Sequence, residues 1–273
     1  MKYPLIAAKV ARETWAVTPD VFEAIQGAVF ADAPAPYSVP RAPEMPEDDE
    51  DEDGLEMPQS GRVRLIPVFG ILGKHLDTLE MACGGCSVDK VSAQLTAADK
   101  DPDCERIVLA FHSPGGTVTG IPELAAKIAD VNTRKPVIAY TDGQCCSAAL
   151  WLASQADVFL VSPSATVGSV GVFCLLLDKS RKMEMEGVKA NAVSDGKFKL
   201  AGAPFKPLSE DERAMFQMRV EATGKAFRDA IKTKRAVADE DLQGQTFTGA
   251  EAVAKGFADG LANDLADVLE WAG

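Results

Sequence analysis

The stretch Arg106–Val131, "RIVLAFHSPGGTVTGIPELAAKIADV", decides the fold. "RIVLAFH" is a short, nearly continuous apolar run, the pattern of a buried strand. It breaks at "SPGG", where a proline and paired glycines turn the chain. From Ile121 the apolar period lengthens, so that Ile121, Leu124, Ala125, Ile128 and Val131 share one helix face. A strand, a glycine turn and an amphipathic helix make half of a parallel crossover unit. The alternation recurs on both sides. "VRLIPVFGIL" from Val63 is β-rich, and "SVDKVSAQLTAA" follows as a helix with Ser87 at its N-cap and Val88, Val91 and Leu95 on one face. "PVIAYT" is a further strand, "SAALWLAS" a helix and "DVFLV" a strand. The reading is α/β, with parallel β-α-β units. The C-terminal part becomes helical: "LSEDERAMFQMRVEATGKAFRDAIKTKRA" opens with Ser209 and Glu212 as a capping box, and Phe216, Val220, Phe227 and Ile231 recur along one side.

Outside this core the composition shifts. Residues 1–30 read as an N-terminal segment with a short helix from Thr18, residues 31–60 as an acidic, Pro-rich linker, and residues 61–273 as the main domain. The formal charge of -13 argues against nucleic acid as a partner, and seven of those charges sit in "EDDEDED", Glu47 to Asp53. No apolar run reaches the length of about 18 residues that a membrane helix needs. Lys9, Arg12 and Glu13 come too early for a secretory signal. These features predict a cytoplasmic protein without a membrane, its six cysteines kept as thiols. Cys83 and Cys86 form a C-x-x-C without a second pair at zinc-binding spacing, so no metal is expected.

Three segments could carry chemistry. The glycines of "HSPGG", His112 to Gly116, let backbone N–H groups approach a ligand and hold an oxyanion, although a tight turn explains them equally. "TDGQCCSAALWLAS", residues 141–154, sets Cys145, Cys146 and Ser147 side by side at the start of a helix, ahead of the small Ala148 and Ala149. A cysteine nucleophile there would need a histidine, and the chain offers His75 and His112. A serine without histidine needs another base, and a lysine freed of its charge by an apolar pocket can serve. "SDGKFKLAGAPFKPLS" supplies Lys197, Lys199 and Lys206 among Phe198, Leu200 and Phe205, and spacing does not choose between Lys197 and Lys199.

Taken in order, "VFGIL", "SPGG", "GQCCSAALWLASQAD", "SATVGSVGVF", "GKFKLAGAPFKPLSEDER" and "FTGAEAVAKGFADG" resemble the signal peptide peptidase A family of serine peptidases, over roughly residues 62–265. The resemblance implies a ClpP/crotonase-like α/β fold. It implies Ser147 as nucleophile and Lys199, five residues before Pro204, as base, with Ser169 orienting that base. The backbone amides of Gly115, Gly116 and Ala148 would form the oxyanion hole. Cys145 and Cys146 then become neighbours that leave the site open to bulky thiol reagents, His112 is structural and Ser113 is a turn residue. No cofactor is implied, and a neutral lysine base favours alkaline pH.

Without the N-terminal anchor of membrane-bound members, the chain resembles the soluble branch encoded by tailed phages, the prohead proteases of capsid maturation. This implies scaffold, portal or capsid proteins as substrates, with the scaffold separate or truncated. Family members form rings or domes in which subunits share sites, which implies a homo-oligomer and leaves Lys199 to act on its own serine or a neighbour's. The linker is a candidate for self-cleavage. A soluble peptide-degrading relative, an acyl-CoA hydratase-like enzyme and an inactive assembly protein are the alternative readings.

Overall fold

The computed structural model describes residues 13–30, 59–60, 62–82 and 84–272. The acidic stretch 31–58 and Cys83 lie outside the described residues. In chain order the strands are β1 (Trp15–Val17), β2 (Gln59–Ser60), β3 (Val63–Phe69), β4 (Ile71–Gly73), β5 (Gly85–Ser87), β6 (Arg106–His112), β7 (Gly115–Thr117), β8 (Val137–Thr141), β9 (Gln144–Cys146), β10 (Val158–Val161), β11 (Thr166–Gly168), β12 (Thr246–Thr248) and β13 (Gly260–Leu261). The helices are α1 (Pro19–Phe30), α2 (Thr78–Ala82), α3 (Val88–Lys100), α4 (Ile121–Val131), α5 (Ala148–Ala153), α6 (Ser180–Met185), α7 (Glu210–Lys234), α8 (Gly249–Ala254) and α9 (Leu265–Ala272).

The largest sheet runs β13-β10-β8-β6-β3-β2, parallel from β13 to β3, with β2 antiparallel at the edge. The strands pair through helical crossovers, so the parallel α/β expectation and the helical C-terminal part are what the structure shows. Alternation along β6 explains the layering. Ile107, Leu109 and Phe111 point to one face and join α3, α4, α5 and α7 in the main core. Val108 and Ala110 point to the other, under Val268 and Ala272 of α9.

Caps read from the sequence are present. The Ser87 hydroxyl accepts from Lys90 N at 3.3 Å, and Ser209 and Glu212 close a full capping box on α7. Thr18 differs. Its carbonyl accepts from Phe22 N at 3.1 Å, but its buried hydroxyl has no partner among the described residues, so the backbone alone starts α1 there.

Two smaller sheets stand at the carboxyl ends of the large one. One runs β1-β7-β4-β5 and the other β12-β11-β9. Strands of three residues are too short to show a period, and the sequence reading does not separate them from turns. The site lies where they meet. The C-terminal segment is tied down beneath it: Arg235, 4% exposed, pairs with Asp259 and donates to Ala156 O at 2.9 Å. Asp259 also accepts from Phe159 N at 2.7 Å.

Candidate active site

Ser147 is the N-cap of α5, at the carboxyl end of β9. "AALWLA" is apolar all round, and all of its side chains are buried, as such a helix requires. Trp151 stacks on Phe227 of α7 with ring centroids 4.6 Å apart and planes 6° off parallel. Gln155 just beyond α5 donates to Ala230 O at 3.1 Å, so the helix is locked to α7. The nucleophile turn therefore stands on a rigid base.

The turn itself is strained. Ser147 has φ 54° and ψ -118°, a left-handed backbone that costs a non-glycine residue roughly 1–3 kcal/mol. Its N–H donates to Gly168 O at 2.8 Å. Its hydroxyl is buried, and among the described residues Oγ has no hydrogen-bond partner. A buried hydroxyl left unpaired carries a desolvation penalty of about 1–3 kcal/mol, so strain and an orphaned oxygen coincide on one residue. Both features suit a nucleophile awaiting a base and a substrate carbonyl.

Ser169 falls beside it by register. β9 and β11 run parallel with Cys146 opposite Gly168, so Ser147 and Ser169 leave the two strands at the same end. Both have positive φ, 54° and 56°.

Gly115 and Gly116 are required by close approach. Gly115 has φ 103°, and a Cβ on it would stand 2.9 Å from Ser147 Cβ, 3.1 Å from Ala148 N and 2.2 Å from Ala16 O. A Cβ on Gly116 would meet Leu72 O at 1.9 Å, where β4 crosses. This places the "SPGG" backbone directly over the serine and the Ala148 amide. The amide of Ala148 is in the first turn of α5, where N–H groups lack helical acceptors. The Gly115 N–H is already engaged, donating to Ser113 Oγ at 3.2 Å. Gly116 faces the other way. Thr18 N–H donates to Pro114 O and Val118 N–H to Thr14 O, and antiparallel alternation then turns the Gly116 N–H onto Ala16 of β1.

The competing nucleophiles are disarmed. Cys145 and Cys146 are both 0% exposed. Burial pushes the Cys146 thiol up to about 12 and the Cys145 thiol well above its ordinary value, so both stay protonated. This corrects the expectation that bulky thiol reagents reach them, because neither sulfur meets solvent. Cys86 of the C-x-x-C is likewise buried, its thiol raised to about 12 by desolvation. Ser113 is a turn residue, as read from the sequence: its hydroxyl donates to Gly70 O at 2.6 Å. The histidines serve elsewhere. His75 is exposed beside Asp89, with Nδ1 3.2 Å from the carboxylate. His112 lies edge-on to Phe69 with its ring against Gly143.

Lys199 is not brought to Ser147 within this chain. It is exposed, in a segment where every residue from Glu184 to Lys199 is exposed, and among the described residues its amine has no ion-pair or hydrogen-bond partner. The apolar pocket expected around the base is absent in the single chain. The other lysines are committed. Lys197 pairs with Asp211 at 2.6 Å and Lys206 with Glu212 at 2.5 Å. A cavity of about 570 Å³ opens next to this segment, lined by Phe173–Asp178, Lys206, Arg213, Phe216 and Val220. Among the described residues no helix is long and apolar enough to cross a membrane.

The chain is similar to several known proteins. It is 31% identical over 220 residues to the Capsid assembly protease C of Escherichia phage lambda, covering 78% of this chain and 50% of that one. It is 30% identical over 203 residues to Protease 4 of Salmonella typhi, covering 69% of this chain and 32% of that one. The chain thus spans half the length of these curated relatives or less. Among solved structures, a membrane-bound stomatin-specific protease aligns at 16% identity with a TM-score of 0.41, over 78% of this chain and 84% of the other. The profile of peptidase family S49 matches residues 129–272, which include Ser147, Ser169 and Lys199. With more than half of its length under that profile and the lambda relative aligned over most of it, the chain belongs to peptidase family S49.

Proposed function

We propose that this protein is a serine endopeptidase in which Ser147 attacks the scissile carbonyl and Lys199 takes its proton. The observation that carries this reading is the buried, unpartnered Ser147 Oγ on a positive-φ turn against Gly115 and the Ala148 amide. The neutral Lys199 amine accepts the serine proton as the C–O bond forms, then returns it to the leaving amine as the C–N bond breaks. Water resolves the acyl-enzyme by the reverse use of the same base. The backbone amide of Ala148 stabilises the oxyanion, a donor contributing about 3 kcal/mol, and Gly115 and Gly116 N–H add to it only when they give up Ser113 Oγ and Ala16. Ser169, leaving β11 beside Ser147, holds the lysine in place.

The base comes from a second copy of the chain. Support lies in the exposed 184–199 segment, which carries Val188, Val193 and Phe198 into solvent together with an unpaired Lys199. A second copy covering this segment would bury these apolar side chains together with Lys199. That surface burial also supplies the desolvated setting in which a lysine works as a base. The likeness to the lambda capsid assembly protease supports protein substrates of capsid assembly, such as scaffold or portal. The test is co-expression of the wild type, Ser147→Ala and Lys199→Ala with neighbouring capsid and scaffold proteins, followed by mass spectrometry. Processing is lost in each variant alone and restored when the two variants are expressed together. Absence of processing by the wild type would sink the capsid reading, and full processing by Ser147→Ala would sink the nucleophile.

A further inference from the structure

The strand β1 lies across the site. Trp15, Ala16 and Val17 pair antiparallel with Thr117, Gly116 and Gly115. On its other edge Trp15 N–H donates to Phe173 O at 2.8 Å, and Phe173 N–H donates back to Trp15 O at 3.0 Å. β1 thus fills a slot between the turn that overlies Ser147 and the segment that follows Ser169. An extended peptide presenting its carbonyl to Ser147 needs that same slot, because an open strand edge is what binds an extended chain. We infer that β1 is a built-in occupant of the substrate groove, which leaves when substrate enters, and that its side-chain pattern reports the peptide the groove takes.

Three observations carry this. First, the Gly116 N–H, a candidate donor to substrate or oxyanion, is turned onto Ala16, whose carbonyl sits 2.2 Å from where a Gly115 Cβ would stand. Second, Ser147 is only 1% exposed, so a substrate cannot reach it unless something moves. Third, β1 is docked by side chains in the alternation of a bound peptide. Trp15 and Val17 enter an apolar cluster with Phe22, Ile71, Phe173 and Leu175, while the small Ala16 faces the main core. Trp15 and Phe22 meet edge to face at 5.3 Å, and Phe22 meets Phe173 at 4.8 Å. Among the described residues the buried Thr18 hydroxyl that follows has no partner. The substrate class is an extended segment of large apolar, small, then β-branched or apolar residues ahead of the cleaved bond.

The inference rests on Ser147 being the nucleophile, and the test separates the two. Intact-mass analysis follows labelling of Ser147 by a fluorophosphonate probe in the full chain, in full-chain Trp15→Ala and Ala16→Pro, and in Ser147→Ala. Proline removes the ladder N–H of residue 16. Both strand variants label about tenfold faster than the wild type, since the open state is no longer a minor one. A synthetic peptide of residues 13–18 slows them again. Equal or slower labelling in variants that melt cooperatively overturns the inference while leaving the nucleophile intact. Labelling in none of the chains, or undiminished in Ser147→Ala, removes the nucleophile and the inference with it. A measurement that needs no variant is hydrogen exchange of the wild type with and without a peptidyl phosphonate on the serine. Residues 13–18 lose protection when the probe is attached; unchanged protection overturns the inference.

Discussion

From Cys145 to Ala153 every residue is buried, whereas from Glu184 to Lys199 every residue is exposed. The first stretch is held by β9, by the stacking of Trp151 on Phe227 and by the crossing of the "SPGG" turn. The second has the short helix α6, which buries no residue, and, among the described residues, two ion pairs with exposed partners, Lys182 with Glu186 and Lys197 with Asp211. The two stretches hold the two halves of the proposed dyad. One half is preorganised inside the chain, at the cost of a strained and unpaired serine. The other lies in a segment exposed throughout in the single chain.

The largest expected effect is on the buried side. Ser147→Ala lowers kcat for a peptide substrate by at least about 10⁴-fold. Thermal melting stays at or above the wild-type value, because the strained φ remains while the orphaned hydroxyl is gone. Next, Phe227→Ala removes the partner of Trp151 and costs about 3–5 kcal/mol in urea unfolding, with the serine turn loosened as α5 loses its base. A loss under 1 kcal/mol would show that α7 does not support the turn. Gly115→Ala should cost about 1–3 kcal/mol of stability and, in addition, abolish labelling of Ser147 even though it also dislodges β1, because its Cβ would stand 2.9 Å from Ser147 Cβ and 3.1 Å from Ala148 N.

On the exposed side the effects on the single chain are small. Val193→Ser changes urea stability by under about 0.5 kcal/mol, because Val193 is 100% exposed, yet it weakens self-association in sedimentation. At the border between the two regions, the Lys206 ammonium bonded to Glu212 holds its carboxyl below the usual carboxylate range. A carboxyl depressed in the folded state stabilises above the unfolded pKa and loses that contribution as pH falls through the folded value. Glu212→Gln should therefore flatten the acid limb of the stability–pH curve and leave stability above about pH 7 to the remaining caps.

Much of this was legible in the sequence, and the exceptions share a cause. The long strands and helices show their periods: Ile107, Leu109 and Phe111 alternate, and Ile121 to Val131 follow helical spacing. Three-residue strands show none, so β1, β7, β9 and β11 emerged only from pairing across the chain. Ser147 stood out by its position before small residues at a strand–helix junction. The resemblance already favoured it over Cys145 and Cys146; that burial keeps both thiols protonated is something composition does not report. Spacing does not choose between Lys197 and Lys199; in the structure Lys197 is paired with Asp211 of the first turn of α7, an exposed ion pair, whereas Lys199 is not paired among the described residues. The role of β1 had no sequence signal, since "WAV" acquires meaning only beside Gly116 and Phe173.

The central claim is the pairing of Ser147 with Lys199, and the most direct measurement compares three variants in one peptide-cleavage assay at matched oligomeric state. Lys199→Ala should fall to the baseline set by Ser147→Ala, while Lys197→Ala keeps wild-type turnover despite losing its bond to Asp211. Full activity in Lys199→Ala together with a dead Lys197→Ala would contradict the account.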